Sequence, residues 1–555
     1  MKKATRLLSL LLAILMVMAL AACGNSAPAA SSSETATANT AAANTETAAD
    51  DSQSVEPVEA TYPLTTENKK LTIYMRDNSA GVIGDYGRVA GIKAAAEKLG
   101  VELEFIHPTT GSEADQFNLM IGSGKYPDII VWEFSTAAMG LSELVDQGIL
   151  IDMDPLIRQY APNYLKVLER NEAYPREVRS DAGKYQAFYT FTVSIPVSSG
   201  PVFRQDILDK YGLSLPETVD QWEEVMKAVK EQDPTCEYPL STSKSYTGAV
   251  WFNELLPAYN TRTEFCLGEN GEVVYGPITD NYKAYLAKLN EWYSAGLIDP
   301  EFMSNDGTAL NGKVADGSCL VATMAINSGI RNITNNVRPN NPDFQLTGVA
   351  WPVLNAGDPS SYVLAGGVAH TGVQAAISSS CSDPVLATQV LDFFYSDEGS
   401  DLISWGIEGE SYTVAADGTK TFTDNIMNAA DGKAPTEAVL DYALPMYGFV
   451  NAMDNDAYVQ LAVNMPEQGA ARSLWQSLDQ GANLPKLTVD KDHANDYRMI
   501  MNEVQTYIQE MYIKFITGQA NLDSDWDTYV NTIKGMGIEN ATQWVQDAYT
   551  AFMNR

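Results

Sequence analysis

Histidine is scarce in this sequence, with three residues in 555. Any mechanism that pairs a nucleophile with an imidazole base would have to use His107, His370 or His493. His107 precedes a proline at the end of an apolar run, and His370 lies in a glycine-rich stretch, and no catalytic motif surrounds either. We therefore interpret both as structural residues, predict no catalytic residue and expect no enzyme.

Cysteine is also rare, and no pair has the C-x-x-C spacing or a histidine nearby in sequence. This argues against a zinc site. Cys236 and Cys266 could form a disulfide outside the cell. The alternative is four buried thiols, with Cys319 and Cys381 as the other two. The sequence leaves both interpretations open, and it predicts no metal and no cofactor.

Motifs for phosphate and calcium binding are present only in incomplete form. In residues 307–314 Val314 replaces the Ser or Thr that would hold magnesium in a P-loop. Asp523, Asp525 and Asp527 have calcium-loop spacing, but the expected glycine and closing glutamate are missing. We interpret these aspartates as helix N-capping residues. No G-x-S-x-G occurs.

Basic residues are few relative to acidic ones, 36 against 71, which gives a formal net charge of −35. Such a surface repels nucleic acid, so we predict no nucleic-acid partner. The chain is too long for one hydrophobic core, because single cores stop growing at roughly 250–300 residues. Two lobes with unstructured ends are therefore expected.

The N-terminus has the pattern of an export signal. Lys2, Lys3 and Arg6 precede an apolar run at 7–20 that is too short to span a bilayer comfortably. No second long apolar stretch follows. The run ends in Leu20-Ala21-Ala22-Cys23-Gly24, which resembles the lipobox of bacterial lipoproteins.

That resemblance implies a signal peptide at residues 1–22 and a lipidated Cys23. The lipid would anchor the protein on the extracytoplasmic face of the cell membrane. Residues 23–66 are rich in Ala, Ser, Thr, Asn and Glu and have no apolar period. They are expected to form a disordered tether.

After the tether, apolar periodicity predicts alternating strands and helices. Strands are predicted at 71–75, 101–106 and 127–132, and helices at 86–99 and 114–121, the first ending at Gly100. This order at this spacing is typical of parallel βαβ units in an α/β protein. Ligands of such sheets bind beyond the carboxyl ends of the strands, where Trp132 lies.

Several segments resemble family 1 extracellular solute-binding proteins, in particular their large lipoprotein branch. Together they cover nearly all of residues 67–555, and they lie at 141–162, 181–185, 202–213, 216–222, 292–300, 404–412, 515–518 and 525–527. The most specific one is Tyr126-Pro127-Asp128-Ile129-Ile130-Val131-Trp132.

The resemblance implies a type II periplasmic-binding-protein-like fold with two discontinuous α/β lobes and an interlobe cleft. The N-terminal lobe would comprise 67–195 plus 364–445, and the C-terminal lobe 196–363 plus 446–555. Crossings are expected near 195–203, 364–370 and 444–449, and Gly366 and Gly367 would permit hinge motion. Lobe closure would trap the ligand.

Sugar binding needs flat aromatic platforms and a few fixed polar groups. The resemblance implies that Trp132 stacks on sugar. Core packing is the alternative for every tryptophan, Trp132 included, and it is preferred for Trp222, Trp292, Trp475, Trp526 and Trp544. The full set of expected ligand-binding residues is Trp132, Glu133, Arg204, Trp251, Glu254, Trp351, Trp405, Glu408 and Tyr412.

Two features depart from the family pattern. Residues 234–239 lack the acidic loop that binds calcium in this branch, so no calcium is predicted there. Ile326-Asn327-Ser328-Gly329 lacks the tryptophan that follows this run in the maltodextrin-binding subgroup. This argues against maltodextrin itself.

The sequence therefore predicts a monomeric, lipid-anchored binding component of an ABC importer. It would capture a carbohydrate, with an oligosaccharide expected, and deliver it to the permease subunits. The alternatives are a binding protein for a peptide or another non-sugar solute, a surface glycosidase, and a sensor subunit that hands ligand to a receptor.

Overall fold

The computed structural model describes residues 56–555 apart from 80, 193–196, 248–250, 362–369, 446–448 and 480–482. The signal peptide, Cys23, Gly366 and Gly367 lie outside these residues. The strands are β1 Lys69–Met75, β2 Val101–Ile106, β3 Ile129–Trp132, β4 Phe188–Thr192, β5 Ser199–Arg204, β6 Phe265–Leu267, β7 Val273–Tyr275, β8 Val321–Ala325, β9 Leu346–Gly348, β10 His370–Ile377, β11 Tyr412–Val414, β12 Lys420–Phe422 and β13 Ala452–Met453.

Helices cover most of the remaining chain, and none in the described residues is both long and apolar enough to cross a bilayer. They are α1 Ala90–Leu99, α2 Glu113–Ser123, α3 Leu141–Asp146, α4 Asp154–Tyr160, α5 Pro162–Leu168, α6 Ala173–Val178, α7 Gln205–Tyr211, α8 Val219–Gln232, α9 Lys244–Thr247, α10 Asp280–Ser294, α11 Gly307–Asp316, α12 Asn332–Val337, α13 Pro384–Phe393, α14 Asp397–Ser404, α15 Asp424–Met427, α16 Pro435–Ala438, α17 Asn455–Ala462, α18 Pro466–Gln476, α19 Ala494–Ile516, α20 Leu522–Gly535 and α21 Ile538–Met553.

The first sheet has the strand order β13-β4-β10-β3-β1-β2. β1 runs parallel to both β2 and β3, with Ile73 opposite Phe105 on one side and Ile129 on the other. β10 is antiparallel to β3 and β4. The predicted βαβαβ unit is therefore confirmed.

The local sequence explains these elements. In β2 Val101 and Leu103 are buried while Glu102 and Glu104 are exposed, which is the period-2 pattern of a half-buried strand. The preceding helix begins at Ala90, later than predicted, because residues 86–88 form a short 3-10 turn. It ends at Gly100, whose φ of 69° suits glycine.

The second sheet has the order β8-β5-β9 and is antiparallel. Two hydrophobic cores lie beside it, and α8, α10 and α19 contribute to the larger one. α8 begins at Val219, because Thr218 and Gln221 form a reciprocal capping box.

The packing corrects the predicted position of the third crossing. The sequence assigns residues from 446 onward to the C-terminal lobe. Phe449, Ala452, Ala457 and Leu461 instead pack in the core of the first sheet. Val463 is the next residue that packs against a core of the second sheet, followed by Ala471 and Trp475. The chain therefore changes lobe between Leu461 and Val463.

The predicted tether is shorter than expected. The Val58 N–H donates to the Gln159 carbonyl, and the Leu64 N–H donates to the Leu99 carbonyl. The ring of Tyr62 packs edge-on against Phe393, with centroids 5.4 Å apart. Residues 58–64 are thus part of the first lobe.

Several structural interpretations are confirmed. His107 contacts the Met75 carbonyl through Nδ1 at 2.9 Å and accepts from the Tyr86 N–H through Nε2. The side chain of His370 lies outside the described residues. The cysteines Cys236, Cys266, Cys319 and Cys381 are buried free thiols, so the 236–266 disulfide is not formed. Trp222, Trp292, Trp475 and Trp526 are core residues, and Trp544 packs at a core margin.

The aspartates at the start of α20 occupy its first turn. The N-cap is Asn521, whose side chain accepts from the N–H groups of Asp523 and Ser524. The N-cap is therefore Asn521, which precedes the three aspartates that the sequence predicts as capping residues. Asp523 and Asp525 still suit this end, because carboxylates are favourable near a helix N-terminus.

Candidate functional site

A cavity of about 500 Å³ lies in the second lobe. It combines apolar rings with polar side chains, which is the composition expected of a small-molecule site. Phe265 and Tyr497 supply the rings, and their centroids are 6.3 Å apart. Asn253, Arg262 and Lys486 supply polar groups.

The wall that carries Asn253 is fixed by hydrogen bonds on both sides. The Phe252 N–H donates to the Tyr512 hydroxyl, and the Phe252 carbonyl accepts from the Tyr285 hydroxyl. Glu254 accepts from the N–H and the hydroxyl of Thr323 at 2.9 and 2.7 Å. This anchoring from α10, α19 and β8 holds Asn253 at the cavity, where it is 6% exposed.

A tight turn places Arg262 at the cavity. The Thr261 N–H donates to the Leu256 carbonyl, and Asn260 has a φ of 45°, a left-handed conformation that asparagine tolerates. The Arg262 guanidinium then donates from Nε to Asn483 at 2.7 Å and from Nη1 to the Thr261 carbonyl at 2.7 Å. Burial lowers the pKa of Arg262 to about 10.

The cavity lies on the side of the second lobe that meets the first. A Cβ built on Gly372 of β10 would be 3.0 Å from Glu133 Oε1 and 3.5 Å from Lys486 Nζ. Lys486 lines the cavity, whereas Glu133 follows β3 of the first lobe. The two side chains thus approach the same point of β10 from opposite lobes.

Trp132 lies at the carboxyl end of β3, as predicted, but its ring is covered. The ring stacks on Phe117 at 4.4 Å, and the Arg76 guanidinium lies 4.1 Å from its centroid. The side chain is 3% exposed. In this conformation Trp132 offers no free face to a sugar.

Trp251 and Glu254 lie in the segment that carries Asn253, but neither lines the cavity. Trp251 packs edge-on against Tyr512 with ring centroids 4.5 Å apart. Glu254 is fully buried, and that burial raises the pKa of its carboxyl group. Both residues lie next to Asn253 in the chain, and their role in ligand binding stays a prediction.

Arg204 is placed away from the cavity. Its guanidinium forms a two-pronged pair with Asp206 at 2.9 and 2.8 Å and donates to the Val314 carbonyl. It also covers the ring of Phe344. Arg204 and Asp206 belong to the same lobe, so this ion pair does not join the two lobes.

Trp351, Trp405 and Tyr412 are also core residues here, with exposures of 1, 1 and 5%. Trp351 lies beside Trp475 in the smaller core of the second lobe. Trp405 donates its indole N–H to Asp454 at 2.8 Å and packs near Tyr412 in the first lobe. The packing gives these rings a structural role. Glu408 is exposed beside Tyr412.

The described residues contain no group of three or more His, Cys, Asp or Glu side chains placed to hold a metal ion. The acidic residues form ion pairs, hydrogen bonds or solvated faces instead. The geometry points to solute capture by an aromatic and polar cavity.

The sequence model of the bacterial extracellular solute-binding protein family matches residues 85–401. The chain belongs to this family. Membership makes it a binding protein that acts outside the cytoplasm rather than an enzyme.

Two curated proteins are related to this solute-binding protein. The fructooligosaccharide ABC transporter substrate-binding protein FusA of Streptococcus pneumoniae serotype 4 is 23% identical over 523 residues, which is 89% of this chain and 92% of FusA. Lipoprotein LipO of Bacillus subtilis (strain 168) is 24% identical over 248 residues, which is 43% of this chain and 47% of LipO.

Solved structures share the fold. The alginate-binding protein AlgQ2, in its calcium-free crystal structure, aligns with a TM-score of 0.64 at 20% identity and covers 89% of this chain and 100% of its own. An HMO-binding solute-binding protein of Bifidobacterium longum infantis aligns with a TM-score of 0.68 at 16% identity, over 87% and 99% of the two chains. The predicted two-lobed periplasmic-binding-protein-like fold is confirmed.

Sequence reasoning missed the residues that line the cavity of this solute-binding protein. Asn253, Arg262, Phe265, Lys486 and Tyr497 belong to no motif. One weak signal exists: Arg262 is the sole charged residue in the stretch 255–263 of an acidic chain.

Proposed function

We propose that this protein is the substrate-binding component of an ABC importer and that it captures an oligosaccharide. The cavity carries the proposal, because it sets the Phe265 and Tyr497 rings beside the polar groups of Asn253 and Arg262. A sugar presents an apolar face and a rim of hydroxyls, and this lining suits both. The name of FusA, which matches over nearly the whole chain, agrees with an oligosaccharide.

Capture would proceed by closure of the two lobes. A solute shifts an open–closed equilibrium only through better contact with the closed form. The approach of Lys486 and Glu133 at Gly372 supports this, because it sets polar groups of both lobes beside the cavity. The closed monomer would then deliver the sugar to the permease subunits.

The decisive experiment is isothermal titration calorimetry of Tyr497→Ala against a panel of oligosaccharides and peptides. We expect the variant to weaken binding of the captured oligosaccharide by ~1–3 kcal/mol. Tyr507→Ala is the matched control, since Tyr507 is a partly buried tyrosine of the same helix that does not line the cavity. Binding of peptides and of no sugar would overturn the proposal.

We also propose that lipid on Cys23 anchors the protein. The lipobox-like sequence and the lipoprotein relative LipO support this. In the native host, Cys23→Ser should move the protein from the membrane fraction to the medium and abolish incorporation of radiolabelled palmitate. Unchanged membrane association of the variant would contradict lipid anchoring and leave the cavity proposal intact.

A further inference from the structure

Arg262 lines the cavity and is 7% exposed, yet none of its hydrogen-bond partners is charged. Nε donates to the Asn483 amide oxygen, and Nη1 donates to the Thr261 carbonyl. Nη2 is buried and donates to no acceptor among the described residues. A buried N–H group without a partner costs free energy, and more so when it carries charge.

Arg204 is a second buried arginine, and it has a charged partner. Arg204 is 5% exposed, and both carboxylate oxygens of Asp206 accept from it. Arg262 makes no ion pair with any residue that the structure describes, and the internal segments left out of that description contain no Asp or Glu. One buried guanidinium therefore has its counter-ion among the described residues and the other does not.

The rest of the charged lining consists of one cation and one acid. Lys486 is exposed at the cavity and forms no ion pair within the described part of the chain. Glu264 is the acidic residue of the lining, and it is exposed. Together with Arg262 they give two cations and one acid in a protein whose formal net charge is −35. Glu133 of the first lobe lies near Lys486 at Gly372, so Arg262 is the buried cation of this lining that has no counter-ion among the described residues.

We propose that the captured oligosaccharide is acidic and that a carboxylate of a uronic-acid-type residue pairs with Arg262. This rests on the proposed function, because it takes the cavity as the place where sugar binds. A carboxylate is planar and matches the donor fork of a guanidinium. The Phe265 and Tyr497 rings lie where they can stack on the sugar ring, and Asn253 can bond its hydroxyls.

Matched sugars test this with the wild-type protein. Calorimetry would compare trisaccharides of galacturonic, mannuronic and guluronic acid with their carboxyl-reduced, neutral counterparts and with neutral fructooligosaccharides. We expect an acidic trisaccharide to bind roughly 10- to 100-fold more tightly than its reduced counterpart, as expected for one charge-assisted contact. Neutral sugars that bind as well or better would overturn the proposal while leaving oligosaccharide capture intact. Binding of no sugar would overturn both.

Two substitutions of Arg262 test whether this residue causes the preference for acidic over carboxyl-reduced sugars. Arg262→Met should abolish the difference between acidic and reduced sugars, whereas Arg262→Lys should keep part of it. Arg170→Met is the control for loss of one positive charge, because Arg170 is half exposed on the first lobe. An unchanged preference in Arg262→Met would overturn the proposal.

Thermal unfolding without ligand separates a binding role from a structural one. Removing an uncompensated buried charge should leave the melting temperature of Arg262→Met unchanged or raised. A marked decrease, together with an unchanged acidic preference in Arg262→Met, would assign Arg262 to the fold alone and overturn the proposal.

Discussion

Arg555 and Asp181 join the two lobes: Nη2 of Arg555 donates to Oδ1 of Asp181 at 2.7 Å. Arg555 follows α21 of the second lobe, and its Nη1 also donates to the Arg176 carbonyl of α6 in the first lobe. The contact thus ties the end of the second lobe to the first lobe.

Removing the Arg555–Asp181 ion pair should favour the open form slightly. The Asp181 side chain is 58% exposed, and exposed ion pairs contribute about 0–1 kcal/mol. We expect Arg555→Met to weaken solute binding by no more than about fivefold and to raise the radius of gyration in small-angle X-ray scattering without ligand. Arg88→Met, which breaks a pair with Asp441 inside the first lobe, should change neither quantity.

Gly200 should not tolerate a side chain. A Cβ at Gly200 would be 2.4 Å from Cε2 of Trp475, whose indole N–H donates to the Val349 carbonyl and so cannot easily turn away. We expect Gly200→Ala to lower the free energy of unfolding by ~1–3 kcal/mol in urea denaturation. Gly312→Ala in α11 meets no atom within 4 Å and should raise it by ~0.5–1 kcal/mol. Equal effects of the two substitutions would refute the tight contact.

We expect Trp132 to contribute mainly to the stability of the first lobe. Its ring is held between Phe117 and Arg76, so truncation would leave a cavity in the first core. We expect Trp132→Ala to cost ~3–5 kcal/mol in thermal or urea unfolding. Trp132→Phe should cost less because it keeps a ring against Phe117. An unchanged unfolding free energy together with lost sugar binding would instead support the stacking role implied by the family resemblance.

Asp392 should make stability depend on pH. Burial raises its pKa to about 7, although it accepts hydrogen bonds from the Tyr164 N–H and from Asn163. Between about pH 4 and pH 7 the folded state holds a proton that the unfolded state has lost, so this group's contribution to stability falls as the pH rises and is constant above pH 7.

Asp392→Asn removes this titration. Relative to wild type it should become more stable by up to about 4 kcal/mol between pH 4 and pH 8. Urea denaturation across this range measures the difference. A difference from wild type that does not vary with pH would contradict the prediction for Asp392→Asn. Asp397→Asn, at a carboxylate that is 98% exposed, is the control for the loss of one carboxylate.

The first sheet could be predicted from the sequence because its information is local. Alternation of apolar residues in 101–106 and the glycine stop at Gly100 set the strand and the preceding helix, and both were found. The third crossing could not be predicted in the same way. Whether Phe449 and Leu461 face the first or the second core depends on contacts far away in the chain.

The site was harder to predict for the same physical reason. Periodicity places Trp132 at the end of its strand, but it does not show that Phe117 of α2 covers its face. The cavity joins residues from 253 to 545, and no short-range pattern brings Arg262 next to Asn483. The sequence carries one weak signal for this site, namely that Arg262 is the sole charged residue in the stretch 255–263.

The larger core of the second lobe has a consequence for biosynthesis. α10 packs against α19, which begins 200 residues after α10 ends and supplies Val504, Ile508 and Phe515. Until α19 has been translated, the face of α10 that packs against it has no partner there. The core of the second lobe therefore cannot be completed until synthesis is nearly finished. A chain whose core is incomplete remains able to pass through a narrow export channel.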